Sequence, residues 1–314
     1  MSSQFDTYAS ILDCWKQGVN ADSLYNTIQK AMNNNNDEEW PHDFWLVYMS
    51  VLVELNQQNQ FNEMILKYVK KYGTYYPCGY LQVARHAPSD CLKFKEYCDC
   101  INKYIDNNPP IKMLRTMING KTIAVVGNSG GILGSNKGEE IDSHDIVVRF
   151  NGYKTKEYSK DVGCKTNIWI RVMTDDIFDQ ELEENNYDLI VYASNLNRYQ
   201  ISSDCLSKLN FQIEKQMPIS FFPIEAYQLL REYGIKRPSS GLLIMALLLL
   251  SGRSLKKVDF FGFSFLESKP QYSHYYENIK WSFETHDLDK ETKVIKRLRS
   301  FFYRLPRKYR KIVR

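Results

Sequence analysis

One loop of this chain concentrates glycines directly after a short apolar run. The run covers 123–126, and the loop behind it carries Gly127, Gly130, Gly131 and Gly134. Glycines let backbone N–H groups approach a phosphate closely, and a helix that begins after such a loop adds a favourable dipole. The spacing fits neither G-x-G-x-x-G nor a loop ending in G-K-[ST], so the loop alone supports a nucleotide site and a plain tight turn about equally.

The elements around this loop alternate between strands and helices. The predicted strands are 122–126, 145–149, 167–171, 188–193, 219–222 and 258–262, and a buried helix is predicted at 240–250. This order predicts an α/β fold with a Rossmann-like, mostly parallel sheet flanked by helices. The second strand delivers Asn151 at its carboxyl end, which is where open parallel sheets bind their ligands.

The first third of the chain is predicted to be all helical. Apolar residues recur at 3.6-residue spacing in segments at 5–15, 24–32, 44–55, 61–72 and 90–105. Helix pairs of this length hint at a tetratricopeptide-like array, although no clean 34-residue signature repeats. Such an array could bind a protein partner or only pack against the rest of the molecule, and the second alternative is slightly favoured. The predicted domains are 1–110, 111–292 and a basic tail, 293–314, with a linker at 107–110.

The tail is chemically distinct from the rest of the chain. It contains ten Lys or Arg and no Asp or Glu, whereas the whole chain has a net charge of only +4. Aromatic and aliphatic residues are interleaved with these charges, a composition suited to an anionic membrane surface. The alternative is a final helix packed on the preceding domain. No nucleic-acid-binding motif accompanies the tail, so a nucleic-acid partner is not expected.

Four segments resemble, in order, the motifs of one enzyme family. The segment 127–166, with GNSGGILGS, EIDSHDIVVRFN and KDVGCKT, resembles the large sialylmotif of eukaryotic-type sialyltransferases, glycosyltransferase family 29. RPSSGLLIMALLLL with VDFFGF (237–263) resembles the small sialylmotif, SHYYEN (273–278) the third motif, and HDLDKE (286–291) the last. The resemblance implies a GT-A-like sialyltransferase variant of the Rossmann-like fold and covers none of residues 1–115.

The resemblance also implies roles for individual residues. His286 would be the general base that deprotonates an acceptor hydroxyl, a role that suits an imidazole near neutral pH. His274 would donate a hydrogen bond to the phosphate of a CMP-sugar. The predicted donor-binding residues are Asn128, Ser129, Gly130, Asn151, Arg237, Ser239, Ser240 and Gly241. For the asparagines the alternative is an ordinary turn residue, and for the serines an ordinary helix cap. Glu277 and Glu291 are interpreted as structural hydrogen-bonding residues.

Two departures from the family pattern concern cysteine. The family usually has a disulfide between the positions of Ile123 and, approximately, Leu255 of this chain, where apolar residues stand instead. Seven cysteines without metal-type spacing and an N-terminus without a signal-peptide pattern favour a reducing compartment. These features predict a bacterial-like cytoplasmic member of the family, peripheral on the inner face of the plasma membrane.

The predicted activity is therefore metal-independent and inverting. It moves sialic acid from CMP-sialic acid to a hydroxyl of a surface glycan or lipid-linked glycan, such as lipooligosaccharide or capsule, with no cofactor. One alternative keeps the chemistry with CMP-Kdo or another CMP-nonulosonic acid as donor. A nucleotide hydrolase using the same site and a non-catalytic module that binds glycan or protein are further alternatives.

Overall fold

The computed structural model describes residues 2–34, 40–73, 80–88, 95–172, 186–194, 198, 201–263, 274–276, 288–300 and 305–313. Contacts divide the chain into two compact units. One comprises Met1–Asn107 and Ser194–Met217, and the other Asn108–Ala193 and Pro218–Arg314. The first boundary lies in the predicted linker, but the connection 194–217, which was predicted to belong to the domain 111–292, lies in the first, helical unit.

The helical unit consists of successive helix pairs. Its helices are α1 (Ser2–Lys16), α2 (Ala21–Asn33), α3 (His42–Glu54), α4 (Gln58–Tyr72), α5 (Leu81–His86), α6 (Lys95–Asn107) and α10 (Ser203–Glu214). Helix α3 packs against α1, α2, α4 and α5, and it is buried on all sides because Phe44–Leu52 is an almost continuous apolar run. The short helix α5 was not predicted, since six residues are too few to display a period.

Arg198 ties the connection 194–217 to the helices that precede it. Its guanidinium is buried, donates to both carboxylate oxygens of Glu54, and also donates to the carbonyl oxygens of Trp15 and Val19. Helix α10 packs on α6, where the side chain of Asn210 donates to the carbonyl oxygen of Tyr97 at 3.3 Å. The helical unit is thus assembled from two separate parts of the chain.

The second unit is built on a six-stranded, fully parallel sheet, which confirms the predicted fold class. The strands are β1 (Ile123–Val126), β2 (Ile146–Phe150), β3 (Ile168–Arg171), β4 (Leu189–Tyr192), β5 (Ile219–Phe221) and β6 (Asp259–Phe261), in the order β5-β4-β3-β2-β1-β6. Each strand lies within one residue of its predicted limits. Buried parallel strands are continuous apolar runs, which makes them visible in the sequence.

Helices cover both faces of the sheet. One face packs on α7 (Pro110–Ile118), α11 (Ile224–Glu232), α12 (Ser240–Leu250), α13 (Leu288–Leu298) and α14 (Arg307–Val313). The other face packs on α8 (Gly138–Asp142), α9 (Ser159–Val162), a 3-10 turn at Gly130–Ile132, and Tyr275. The strand order reverses between β1 and β6, and this reversal is the place where a doubly wound sheet opens a ligand crevice.

The basic tail is integrated into this core. Val294, Ile295, Leu298 and Tyr309 are all at most 6 % exposed and pack against α12 and its neighbours. Arg115 donates to the carbonyl oxygen of Ile312 at 2.7 Å. Binding to a membrane surface through these side chains would need them exposed. They instead follow the alternative prediction, in which the final helix packs on the preceding domain. Within the described ranges, no helix combines the length and apolarity that a membrane crossing requires.

Two buried apolar side chains stand at the positions where the resemblance implies a disulfide in other members of the family. Ile123 and Leu255 are each 1 % exposed and belong to the same core cluster. The five cysteines in the described part of the chain (Cys14, Cys98, Cys100, Cys164 and Cys205) are free thiols, as predicted. Burial in the core therefore replaces a covalent link in holding β1 near the segment that leads into β6.

Candidate functional site

The turns after β1 and β6 touch through two glycines. The backbone N–H of Gly127 donates to Phe261 O at 2.8 Å, and that of Ser129 to Gly262 O at 3.0 Å. A Cβ on Gly127 would lie 2.4 Å from Gly262 O, and a Cβ on Gly262, whose φ is +63°, would lie 2.5 Å from Gly127 O. Only glycine fits either position. The glycine-rich loop is therefore anchored at the point where the strand order reverses.

Three backbone donors of this loop have no acceptor among the residues that the structure describes. In the described part of the chain, the N–H groups of Asn128, Gly130 and Gly131 make no hydrogen bond. Those of Gly134 and Asn136, further along, donate to the carboxylate of Asp161 at 2.9 and 2.8 Å. The start of the loop can therefore bind an anion while Asp161 holds its far end. Asp161 was not predicted as a site residue, although it lies within the large motif.

The side chains of Asn128 and Asn151 fix the geometry of the two loops. The amide nitrogen of Asn128 donates to the carbonyl oxygens of Phe150 and Gly152 at 3.1 and 2.9 Å, on either side of Asn151. Asn151 itself has a left-handed φ of +46°. Its Oδ1 accepts from Val172 N at 3.0 Å. Among the described residues, Asn128 Oδ1 and Asn151 Nδ2 have no partner, so an acceptor and a donor are left for a ligand.

The third motif lies against the same loops. Tyr275 N donates to Asn128 O at 2.9 Å, its hydroxyl bonds both the N–H and the carbonyl of Lys154, and Tyr276 donates to Gly152 O. Burial raises the pKa of Tyr275, which therefore stays a neutral phenol. His274 immediately precedes these tyrosines, and its half-buried ring stacks on Tyr276 with 5.4 Å between centroids. The structure thus ties the segment 274–276 to Asn128 and to Gly152, which follows Asn151, more than 120 residues away in sequence.

The N-terminus of α12 is capped from within the protein. Ser239 Oγ accepts from Leu242 N, while the buried carboxylate of Glu291 accepts from Ser239 N at 2.9 Å and from Ser239 Oγ at 2.7 Å. Ser239 therefore caps this helix, as the alternative interpretation holds, and Glu291 makes hydrogen bonds of the structural kind expected of it; a role of Ser239 in donor binding stays a prediction. The N–H groups of Ser240 and Gly241 make no bond to the described residues, which is normal for a first helical turn. Arg237 is exposed.

Phe263 joins this helix to the glycine-rich loop. A Cβ on Gly241 would lie 2.7 Å from its ring, and a Cβ on Gly127 would lie 3.2 Å from the same ring. The N-terminus of α12 and the start of the loop therefore meet on one phenyl group. Phe263 was not predicted as a site residue, because only the folded chain shows which glycines its ring touches.

Two predicted residues cannot be located. His286 and Glu277 lie outside the described residues, so the position of the expected general base stays a prediction. The described residues contain no group of three or more His, Cys, Asp or Glu arranged to hold a metal ion. Metal independence also stays a prediction.

Comparisons with known proteins agree with the motif pattern. The family model for glycosyltransferase family 29 (sialyltransferase) matches residues 55–206 and 170–301. β-Galactoside α-2,6-sialyltransferase 2 of Bos taurus is 51 % identical over 63 residues, covering 20 % of this chain and 13 % of the relative. CMP-N-acetylneuraminate-β-galactosamide-α-2,3-sialyltransferase 2 of Mus musculus is 28 % identical over 187 residues, covering 55 % and 52 %.

A solved structure is also similar. A mammalian sialyltransferase crystallised with Gal-β-1-3GalNAc-ortho-nitrophenol aligns with a TM-score of 0.43 and 23 % identity, covering 64 % of this chain and 75 % of that one.

The matches leave much of each relative uncovered. The chain spans at most about half the length of the two curated relatives named above. Those relatives are mammalian, so the expected bacterial-like character is not supported. The family model nevertheless covers well over half of this chain and includes all four motif segments. The chain therefore belongs to glycosyltransferase family 29, the sialyltransferase family.

Proposed function

We propose that this protein transfers sialic acid from CMP-sialic acid to a hydroxyl group of a glycan, with inversion and without a metal ion. Family membership supports the reaction class, and the name of the mouse relative, which contains CMP-N-acetylneuraminate, supports a CMP-linked donor. The observation that carries the proposal is the meeting of two loops of the large motif with the third motif around the glycine-rich loop. The loop after β1, the loop after β2 and the segment 274–276 are joined by direct hydrogen bonds.

Binding of the CMP phosphate is assigned to the start of the glycine-rich loop. The N–H groups of Asn128, Gly130 and Gly131, which have no acceptor among the described residues, would donate to this phosphate. Asn151 Nδ2 and the ring of His274 would add donors from the neighbouring segments, while Asn128 Oδ1 would accept from a ribose hydroxyl. A second set of backbone donors, Ser240 and Gly241, begins α12 close by.

The chemistry follows from this charge distribution. An acceptor hydroxyl attacks the anomeric carbon of the sugar from the side opposite the phosphate, and the bond from that carbon to the phosphate oxygen breaks. His286 takes the hydroxyl proton, and CMP leaves with an additional negative charge. Because that charge resides on a single phosphate, backbone and imidazole donors are sufficient to stabilise it. Arg237, which is exposed, would pair with the donor carboxylate.

A donor and acceptor screen tests the proposal. The full-length protein is incubated with CMP-Neu5Ac or CMP-Kdo, with β-galactoside acceptors including Gal-β-1-3GalNAc, and CMP release and product mass are followed. We expect transfer from CMP-Neu5Ac, unchanged by EDTA. Three outcomes would each refute one part of the proposal. Transfer only from CMP-Kdo would refute the sialic acid donor, CMP release without a glycosylated product would refute transfer to a glycan, and a strict need for a divalent ion would refute metal independence. Linkage analysis then separates α-2,3 from α-2,6 products, since the two curated relatives differ in this respect.

Variants of the two histidines separate their roles. His286→Ala should reduce transfer by at least about a thousandfold while the affinity for CMP changes little, because a general base touches the acceptor and not the nucleotide. His274→Ala should weaken CMP binding as well as transfer. If His286→Ala lost CMP affinity instead, the assignment of the base would be wrong.

We also propose that the enzyme works with reduced thiols, as in a cytosolic compartment. The five free cysteines and the apolar pair Ile123 and Leu255 support this. Neither activity nor the melting temperature should change with a strong reductant, and a loss of either on reduction would contradict the proposal. An anionic membrane surface is not part of the proposal, because the tail residues Val294, Ile295, Leu298 and Tyr309 are buried.

A further inference from the structure

The turn that presents Asn151 is held by an indole on the neighbouring strand. Trp169, in β3, donates from Nε1 to the carbonyl oxygen of Asn151 at 2.8 Å. Asn151 N donates to Ile170 O at 2.7 Å, and Val172 N donates to Asn151 Oδ1 at 3.0 Å. Three hydrogen bonds between Asn151 and residues 169–172, in β3 and just after it, thus hold both the left-handed backbone and the amide orientation of Asn151.

The indole is itself rigidly placed. Trp169 is 5 % exposed, its ring lies 4.8 Å from Tyr187 and 6.4 Å from Tyr153, and the guanidinium of Arg171 sits 4.3 Å from its centroid. The hydroxyl groups of Tyr153 and Tyr187 are 3.0 Å apart. Packing on several sides leaves the indole one orientation, and an indole N–H can only donate. Its direction therefore selects the Asn151 carbonyl as its acceptor.

We propose that Trp169 is a positioning residue for donor binding, which acts by holding Asn151 so that Nδ2 faces the nucleotide. This inference rests on the proposed function, because it takes a CMP-sugar as the ligand. An asparagine with φ of +46° is uncommon outside turns and retains alternative conformations unless its surroundings exclude them. Asn128 braces the two carbonyls beside Asn151, and Trp169 braces the carbonyl of Asn151 itself.

The first variant is Trp169→Phe, which keeps an aromatic ring and removes the N–H donor. Tyr153→Phe is the matched control, because it removes one hydrogen bond from the same cluster and none from Asn151. Hydrogen exchange of the segment that contains Asn151 is measured without ligand, and CMP affinity by calorimetry. We expect about tenfold faster exchange and about five- to tenfold weaker CMP binding for Trp169→Phe, corresponding to one lost hydrogen bond, with less than twofold changes for the control.

A double-variant cycle decides whether Trp169 acts through Asn151. Asn151→Gly removes the amide and tolerates the positive φ. In that background, Trp169→Phe should change CMP affinity less than twofold. An equal loss in both backgrounds, or no loss in either, would overturn the proposal. If Trp169→Phe does not fold, Trp169→Tyr fills more of the site and still lacks the indole donor. If the wild-type protein does not bind CMP, the proposed function fails, while the exchange data still decide whether Trp169 holds the turn.

Discussion

Replacing Glu291 with Gln separates a structural carboxylate from a catalytic one. Both carboxylate oxygens of this buried residue bond Ser239 at the N-terminus of α12. Gln keeps the shape and one acceptor, and its amide can donate to Ser239 Oγ. The change therefore removes the charge and its attraction for the helix N-terminus, and the Ser239 hydroxyl proton loses its carboxylate acceptor, while Ser239 N–H keeps one. We expect a loss of about 1–2 kcal/mol in the free energy of unfolding.

Glu291→Ala is the harsher comparison. It removes both acceptors, so Ser239 N–H and Oγ–H lose their partners, and a cavity forms where the carboxylate was buried. Hydrogen bonds to charged groups contribute about 1.5–3 kcal/mol each, and Ser239 is half-buried, so water replaces part of this loss. The total should be about 3 kcal/mol. For a unit of this size, each kcal/mol lowers the melting temperature by about 2–4 °C.

Thermal unfolding and transfer are measured on the same preparations. If Glu291 only caps α12, Glu291→Gln should transfer within about threefold of the wild type while melting slightly earlier, and Glu291→Ala should lose stability first and activity as a consequence. A Glu291→Gln protein with an unchanged melting temperature and a hundredfold loss of transfer would refute this reasoning, because it would identify Glu291 as an acid or base.

Three further perturbations test other contacts. Gly127→Ala should lower the free energy of unfolding by about 1–3 kcal/mol and weaken CMP binding, since its Cβ would lie 2.4 Å from a backbone carbonyl oxygen. Gly152→Ala is the control and should be tolerated, because the nearest atom to its Cβ would be 3.6 Å away. Equal melting temperatures of the two variants would contradict the clash. Burial raises the pKa of Tyr275 above its ordinary value of 10.0, so as the pH rises the unfolded chain loses this proton before the folded chain does. The stability that the wild type has over Tyr275→Phe should therefore be complete below pH 10 and decline as the pH rises above it. Urea midpoints that differ by the same amount at every pH would disprove this. Tyr309→Ala should remove about 3 kcal/mol from stability, against almost none for the exposed Lys308→Ala, as thermal melts would reveal.

The elements of the sheet unit were predictable because their signals are local. Most of the strands are short apolar runs buried on both faces, although Asp259 at the start of β6 is exposed, and α12 carries a buried apolar run of nine residues (Leu242–Leu250) after its serine cap. The helical unit was harder, since α5 is too short to display a period. The composition of the connection 194–217 does not show which unit it belongs to. The ion pair of Arg198 with Glu54, which places it in the helical unit, exists only in the folded chain.

The sequence by itself determined the fold class, the order of the strands along the chain and the residues that could bind a phosphate, because burial and glycine-rich turns leave local patterns. The tertiary structure decided which polar groups of those residues remain for a ligand and which neighbouring residues fix their positions. It showed that the Asn128 amide nitrogen braces the turn, that Ser239 is a cap held by Glu291, and that Trp169 supports Asn151. These contacts join residues separated by 18 to 52 positions. Their existence depends on strand register and on which side chains the packed helices bring together, and no local pattern records either.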